Sequence, residues 1–492
     1  MNTQHLRALA FAGSHLGLFT RFFSSSTSRH SFTRQRCIFL VAVVFCIRQV
    51  SAQTFTILYN FSALNAPAAY GGINNDGAYP TGQLLLSGGT LYGTAGAGGD
   101  SDCGTVFKLN IDGTGFSTLY SFSGFDGKTP MGSLMLAQST LYGTTDRGGG
   151  SWGQPNYVSG VGGVFAVNID GSGFTNLYSF TVSSSYPCPC VNPDGMQPRG
   201  GLCFLSNTLY GTTYQGGASG NGAVFSVSTA GTGFAALYSF SSYPPPDFWP
   251  TTNVDGAWPY DGLILLSNTL YGTTPLGGTS GQGTVFAMKT DGTRFTNLHN
   301  FSATVISTPS DFGTNIDGAS PPVSLVLAGH TLYGMTTTGG TAGRGTIYAI
   351  NTDGTGFRTL HYFTGGADGA RPQTGKLVLA GNTLYGTTLD AGDNNTGTIF
   401  KINTDGSGFA VIYTFPEDPN ISDRYRSLLA GDHILYGVST RAGTWTNGFI
   451  FSLSLPGWQP QLAITPSGDD VILSVLRRQQ QNGAIKLVLM GV

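Results

Sequence analysis

Glutamate is almost absent from this 492-residue chain: Glu417 stands alone, and the other 24 acidic residues are Asp. Glu favours helices and Asp favours turns, so little helix is expected. Charge of either sign is scarce as well, because Lys, Arg, Asp and Glu together make up 10% of residues against the usual quarter. Six of the 23 basic residues precede residue 53, where no acid stands. Residues 53–492 therefore hold 17 basic against 25 acidic side chains, a net charge of −8. That sign argues against a nucleic-acid partner, which needs clustered Lys and Arg to neutralise phosphates. The most conspicuous apolar run is CIFLVAVVFCI at 37–47, too short for a comfortable membrane span.

What is abundant points the other way. Gly occurs 74 times, Phe 32 and Tyr 22, and 40% of residues are hydrophobic. Enough apolar surface is present to build a core, which excludes a disordered chain. Glycine and aromatics with little charge suit many short strands joined by tight turns.

The apolar run follows Arg34 and Arg36 and precedes Val50-Ser51-Ala52. This is the layout of a secretory signal peptide cut before Gln53. Residues 1–33, rich in Ser and Arg, lengthen the leader unusually, and a start codon placed too far upstream accounts for them. A secreted or cell-surface protein is expected, touching a membrane only through an uncleaved leader. Cys103, Cys188, Cys190 and Cys203 remain after the leader. Export permits a disulfide from Cys188 or Cys190 to Cys203, with free thiols as the alternative.

Internal repetition dominates the rest. Leu-Tyr-Gly-Thr or a close variant begins at Leu91, Leu141, Leu209, Leu270, Leu332, Leu384 and Leu435, spaced by 50, 68, 61, 62, 52 and 51 residues. A Gly-x-(Val/Ile)-(Phe/Tyr) segment follows each, as GTVF at 104–107 and GTIY at 345–348. Turns such as NIDGTGF (110–116) lead from there to LYSF, LHNF, LHYF or IYTF. Each unit thus contains four strand-like segments: an LLL-like one, TLYGT, GTVF and LYSF. Asp-Gly turns suit antiparallel hairpins because Gly accepts positive φ. Four antiparallel strands repeated about every fifty residues describe a propeller blade.

The segment count predicts how the ring closes. The fourth-type segment occurs first as ILYNF at 57–61, ahead of every other strand, while the last unit ends near Leu455 without one. Residues 54–61 are therefore expected to pair with 448–455 and leave no open edge. The fold expected is all-β, a closed seven-bladed β-propeller over 53–457 of four-stranded repeats about 50–60 residues long. Residues 1–52 form the leader, and 458–492 a short C-terminal β-module or tail.

These units resemble the GloVer repeat of bacterial choice-of-anchor proteins, with LYGTT, GTVF and DGTGF as shared elements over roughly 55–455. The resemblance implies an exported bacterial protein with a propeller-like fold. Relatives carry varied C-terminal sorting anchors; this chain ends without a hydrophobic span and basic tail, so release from the surface is expected. The family supplies no catalytic residues to carry over.

Chain reversal at each turn puts the links from fourth to first strand and from second to third strand on one face. All the long insertions fall there: 145–161, 181–193, 241–254 and 302–316. Variable loops on a rigid scaffold carry binding. Candidate ligand-face residues are Trp152, Tyr157 and Trp249, with Trp258 a further ring able to stack on a sugar. The Asp of Asp-Gly-x-x-Pro recurs ahead of six blades, at Asp76, Asp126, Asp194, Asp255, Asp317 and Asp368. A carboxylate ring at the channel mouth is one reading, and turn chemistry is the reading the residues favour. The seven Tyr of Leu-Tyr-Gly read as packing between blades.

Catalytic patterns are weak. Gly149-Gly150-Ser151-Trp152-Gly153 fits a nucleophile elbow by letter but has no helix to follow it. His299 and His361 occupy the Tyr position of other blades. No triad, metal cluster or cofactor motif emerges. A monomeric, non-catalytic scaffold binding a glycan or protein is expected, with a carbohydrate-active hydrolase or lyase using Asp, or a purely structural surface protein, as alternatives.

Overall fold

The computed structural model describes residues 53–68, 71–150, 152–154, 157–182, 191–242, 252–306, 313–322, 325–372, 375–392, 396–416, 426–441, 443–455, 461–467, 470–476 and 485–488. Every regular element among them is a strand. Seven antiparallel sheets repeat one pattern and form a seven-bladed β-propeller. In the third blade the inner strand Cys203–Leu205 pairs with Thr208–Thr213, then Ala223–Ser228, then the outer strand Ala235–Ser239. The seventh blade draws its outer strand, Phe55–Asn60, from the start of the ring and pairs it with Phe449–Ser454, Phe55 opposite Leu453. Closure thus follows the expected pairing of 54–61 with 448–455.

Local sequence explains the ladder. Gly93 of the Leu-Tyr-Gly segment stands opposite Phe107. A Cβ there would lie 2.5 Å from Phe107 Cζ. Glycine is required because the Phe ring crosses the neighbouring strand at that point. Leu91 and Tyr92 point to opposite sides of their sheet, as adjacent strand residues must. Tyr142 of the second blade packs with Leu209 and Phe225 of the third, and Tyr436 of the seventh with Leu91 and Phe107 of the first. The repeated Tyr therefore fill the seams between blades.

The seams are also hydrogen-bonded. Thr144 Oγ1 donates to Gly200 O at 2.9 Å, and Thr212 Oγ1 to Asp261 O at 2.8 Å. At the closing seam Ser427 Oγ donates to Gly82 O at 3.1 Å and Thr440 Oγ1 to Pro80 O at 2.9 Å. The join between chain ends is built like the other seams. Beyond the ring, Gln461–Ser467, Asp470–Leu476 and Ile485–Val488 form a separate three-stranded antiparallel sheet.

Candidate functional site

Antiparallel alternation assigns the links. Those from second to third strand and from outer strand to next inner strand emerge on one face. The long insertions join strands on this loop-rich face. One of them forms a small hairpin, Trp152–Gln154 with Tyr157–Ser159. The link before Asp76 adds another, Asn65–Ala68 with Gly71–Ile73. The side chains of Trp152 and Tyr157, and the whole of Trp249, lie outside the described residues.

Each repeated Asp clasps the outer strand of the blade before it. Asp76 accepts the Tyr59 hydroxyl and Ser62 N–H, both at 2.8 Å, and the Ser62 hydroxyl at 2.6 Å. Asp194 accepts the Tyr178 hydroxyl at 2.8 Å, Thr181 N–H at 2.9 Å and the Thr181 hydroxyl at 2.6 Å. Asp255 does the same with Tyr238 at 2.7 Å and both donors of Ser241. Asp126 takes the Tyr120 hydroxyl at 2.5 Å and Ser123 N–H at 2.8 Å. His replaces Tyr in two clasps: His299 Nε2 meets Asp317 at 3.0 Å, and His361 Nε2 meets Asp368 at 3.3 Å. The six carboxylates thus sit by six different outer strands, and none lines the central cavities.

An aromatic from the following blade completes each clasp. Phe116 stacks on Tyr59 at 3.9 Å and Phe234 on Tyr178 at 3.8 Å. Phe357 stacks on His299 at 3.8 Å and Phe409 on His361 at 3.7 Å. These Phe belong to the Gly-x-Gly-Phe turns. At the last seam no such turn follows, and Phe55 stacks on Tyr413 at 4.5 Å in its stead. Burial, then the Asp they donate to, hold the Tyr59, Tyr120, Tyr178 and Tyr238 hydroxyls above the ordinary phenol range. Burial also lowers His361 from its usual value, although Asp368 opposes it. For Asp317, burial favours the neutral acid, but the bonds from His299 and Ser302 win and hold it low.

Two features of this frame escaped the sequence reading. Asn stands two residues before the Asp in four links, and Asn74 shows why. Its Oδ1 accepts Gly77 N–H at 2.9 Å and Gly99 N–H at 3.1 Å, while Nδ2 donates to Gly77 O at 2.8 Å and Ser62 O at 3.1 Å. Next, the residue before the Pro of Asp-Gly-x-x-Pro adopts a left-handed backbone in all six copies: Tyr79, Thr129, Gln197, Trp258, Ser320 and Arg371 have φ of 51–58°. Such φ is uncommon for non-glycine residues. Seam bonds repay the strain: Gln197 N–H donates to Val161 O at 2.8 Å, and its carbonyl accepts Tyr214 N–H at 3.0 Å. The backbone position repeats while its side chain changes from blade to blade.

One of these side chains, Trp258, joins a cluster contributed by the second to fourth blades. Arg199 Nε donates to Asp146 Oδ1 at 2.8 Å, and Arg147 Nε lies 3.3 Å from Asp146 Oδ2. Burial opposes the charge on Arg199, and Asp146 more than offsets it, so its guanidinium is held above its ordinary value. The guanidinium lies 4.0 Å from the Tyr214 ring centroid and 5.2 Å from that of Tyr260. Trp258 and Tyr260 each stand 5.7 Å from Tyr214, tilted and edge-on. The result is a half-buried aromatic and guanidinium cluster on the loop-rich face. Arg199, Tyr214 and Tyr260 carry no motif. Arg199 and Tyr260 share one repeat position, directly after the Pro, where every copy holds a different residue, so the repeat gave no signal for them.

The inner strands enclose two cavities of about 580 and 330 Å³ that share Gln83, Leu263, Lys376 and Leu429. Cys203 lines the larger, has no disulfide partner among the described residues, and is pushed up to about 12 by burial. Its expected partners Cys188 and Cys190 fall outside the described residues. Cys103 is buried and likewise has no disulfide partner among the described residues. Among the described residues no group of three or more His, Cys, Asp or Glu is placed to hold a metal, and no helix is long and apolar enough to cross a membrane.

Solved structures similar in fold share little sequence. An oligogalacturonate lyase in complex with manganese is 11% identical, covering 82% of this chain and 98% of its own at a TM-score of 0.46. A putative 6-phosphogluconolactonase from Bacteroides uniformis is 15% identical, covering 71% and 86% at 0.41. No functionally curated protein matches the sequence. The Gloeobacter/Verrucomicrobia repeat matches residues 42–245, 191–311 and 303–485. With most of its length spanned by that repeat, the chain belongs to the Gloeobacter/Verrucomicrobia repeat family.

Proposed function

We propose that the protein is an exported, non-catalytic recognition scaffold whose loop-rich face binds a glycan. The observation that carries this reading is the cluster of Trp258, Tyr214, Tyr260 and Arg199. Aromatic faces beside a charged hydrogen-bonding group suit a sugar, which presents apolar C–H faces and polar hydroxyls together. Export rests on the leader and its apolar run at 37–47. Binding is favoured over hydrolysis because a glycosidase needs two carboxylates at the scissile bond, and the six repeated Asp have their oxygens taken up in clasps.

A protein ligand is the second reading. Phe125, Val254 and Ile316 precede their Asp on the same face and are 70%, 78% and 76% exposed. A glycan-array screen of the exported chain, with product analysis of each hit, separates the readings. The proposal expects binding without turnover, lost in Trp258→Ala and retained in Phe125→Ser. Cleaved products would overturn the non-catalytic reading. Loss in Phe125→Ser alone, or no glycan bound, would overturn the glycan reading.

A further inference from the structure

The lumen of the ring offers a second, separate site. Its wall is built from inner strands, where Cys203, Ile264, Val326, Val378 and Leu429 border the larger cavity. A lumen of about 580 Å³ with a mainly apolar wall falls in the size range of small-molecule sites. An inner strand of three residues such as Val326–Ala328 spans about 10 Å at about 3.3 Å per residue, the length of an extended medium-chain alkyl group.

One cation breaks this apolar wall. Lys376 borders both cavities. It precedes the first buried Leu of the sixth blade, Leu377, at the place held by Gln83, Ser133, Gly201 and Gly262 in the first four blades. Those positions are neutral, so the ammonium is peculiar to one blade. Among the described residues it forms no ion pair. Asp261, the one carboxylate among the lining residues, borders only the smaller cavity and accepts Gly262 N–H at 2.7 Å. Ser133 Oγ, in the same cavity, accepts Gln83 N–H at 3.0 Å and keeps its own proton to donate. A half-buried ammonium with no ion pair among the described residues, lining one cavity with a hydroxyl donor and another with an apolar wall, is complementary to an anion with an aliphatic tail.

We propose that the lumen binds a linear medium-chain carboxylate, its tail along the inner strands and its carboxylate at Lys376 and Ser133. No residue of the aromatic cluster lines either cavity. Neutral alcohols of equal length lose the charge contact and bind less well.

Calorimetric titration of the exported protein with sodium decanoate, below its micelle concentration, tests this. The expected result is one saturable site. Lys376→Met should weaken it about tenfold, to the level at which decanol binds the unaltered protein. Val326→Trp should abolish binding by filling the tube. Because Val326→Trp can also disturb folding, an ω-brominated decanoate located by diffraction in the unaltered protein gives a second readout. Bromine inside the ring supports the proposal. No saturable binding, equal binding by Lys376→Met, or bromine confined to the outer surface would overturn it.

Discussion

The two faces of the ring use the same dipeptide for different work. On the hairpin face, Asp112-Gly113 closes a turn within its own blade: Asp112 Oδ1 accepts Thr114 N–H at 2.9 Å and its hydroxyl at 2.7 Å. Asp170, Asp291, Asp353 and Asp405 repeat that bond to Ser172, Thr293, Thr355 and Ser407. These five are fully exposed, and the hydroxyl and N–H of the turn hold each below the usual carboxylate range. On the loop-rich face, Asp255-Gly256 reaches back to an outer strand of the preceding blade, and Asp255 is 3% exposed. One Asp organises residues two positions away; the other organises a neighbouring sheet. What separates them is burial, since an exposed N–H released from Asp112 finds water, whereas Asp255 is buried and its Tyr238 and Ser241 donors are half-buried against it.

The largest expected effect therefore comes from Asp255→Ala. Leaving the Tyr238 hydroxyl and Ser241 donors unpaired should cost about 3 kcal/mol, read as a lower urea midpoint. If the midpoint holds, the two faces are equivalent and the contrast fails.

A control away from both faces tests the same desolvation argument with opposite sign. Tyr348 replaces the Phe of the other third strands, is fully buried, and its hydroxyl has no hydrogen-bond partner among the described residues. Tyr348→Phe should stabilise the protein by about 1 kcal/mol, raising the urea midpoint.

A smaller, pH-dependent effect sharpens the comparison within the loop-rich face. His361 is lowered in the fold, so the unfolded chain binds its proton more readily. Its contribution to stability is present above the unfolded value of about 6.5 and is lost as pH falls from there through the lowered folded value. Between about pH 7 and pH 5, the unaltered protein should lose more stability than His361→Tyr, which restores the Tyr–Asp clasp of the other blades. Parallel urea midpoints for the two proteins would show that the clasp does not sense protons. Least of all is expected from Asp112→Ala, whose thermal unfolding should be indistinguishable from that of the unaltered protein.

Much of the frame was legible because it repeats. Leu91, Tyr92 and Gly93 recur with their spacing, and the displaced ILYNF segment gave away the ring closure. The His at 299 and 361 were readable as Tyr substitutes, and both occupy the Tyr place beside Asp. The aromatic cluster was not legible in the same way. Arg199 and Tyr260 are one blade apart in sequence and meet only across a seam. Tyr79, Thr129 and Gln197 share no side-chain chemistry, so nothing in the letters marked their common left-handed backbone.

By itself, the sequence determined the number of blades, the identity of the four strands in each and the sharing of the seventh blade between the chain ends. Those follow from short-range pattern, which strand pairing and turn chemistry convert directly into local structure. Only the tertiary structure decided which Asp brace a neighbouring sheet and which close their own turn. It also brought Arg199, Tyr214 and Trp258 together and left Lys376 facing an apolar lumen. The physical reason is that these properties depend on what lies across a seam, where burial decides whether a polar group is expendable or indispensable.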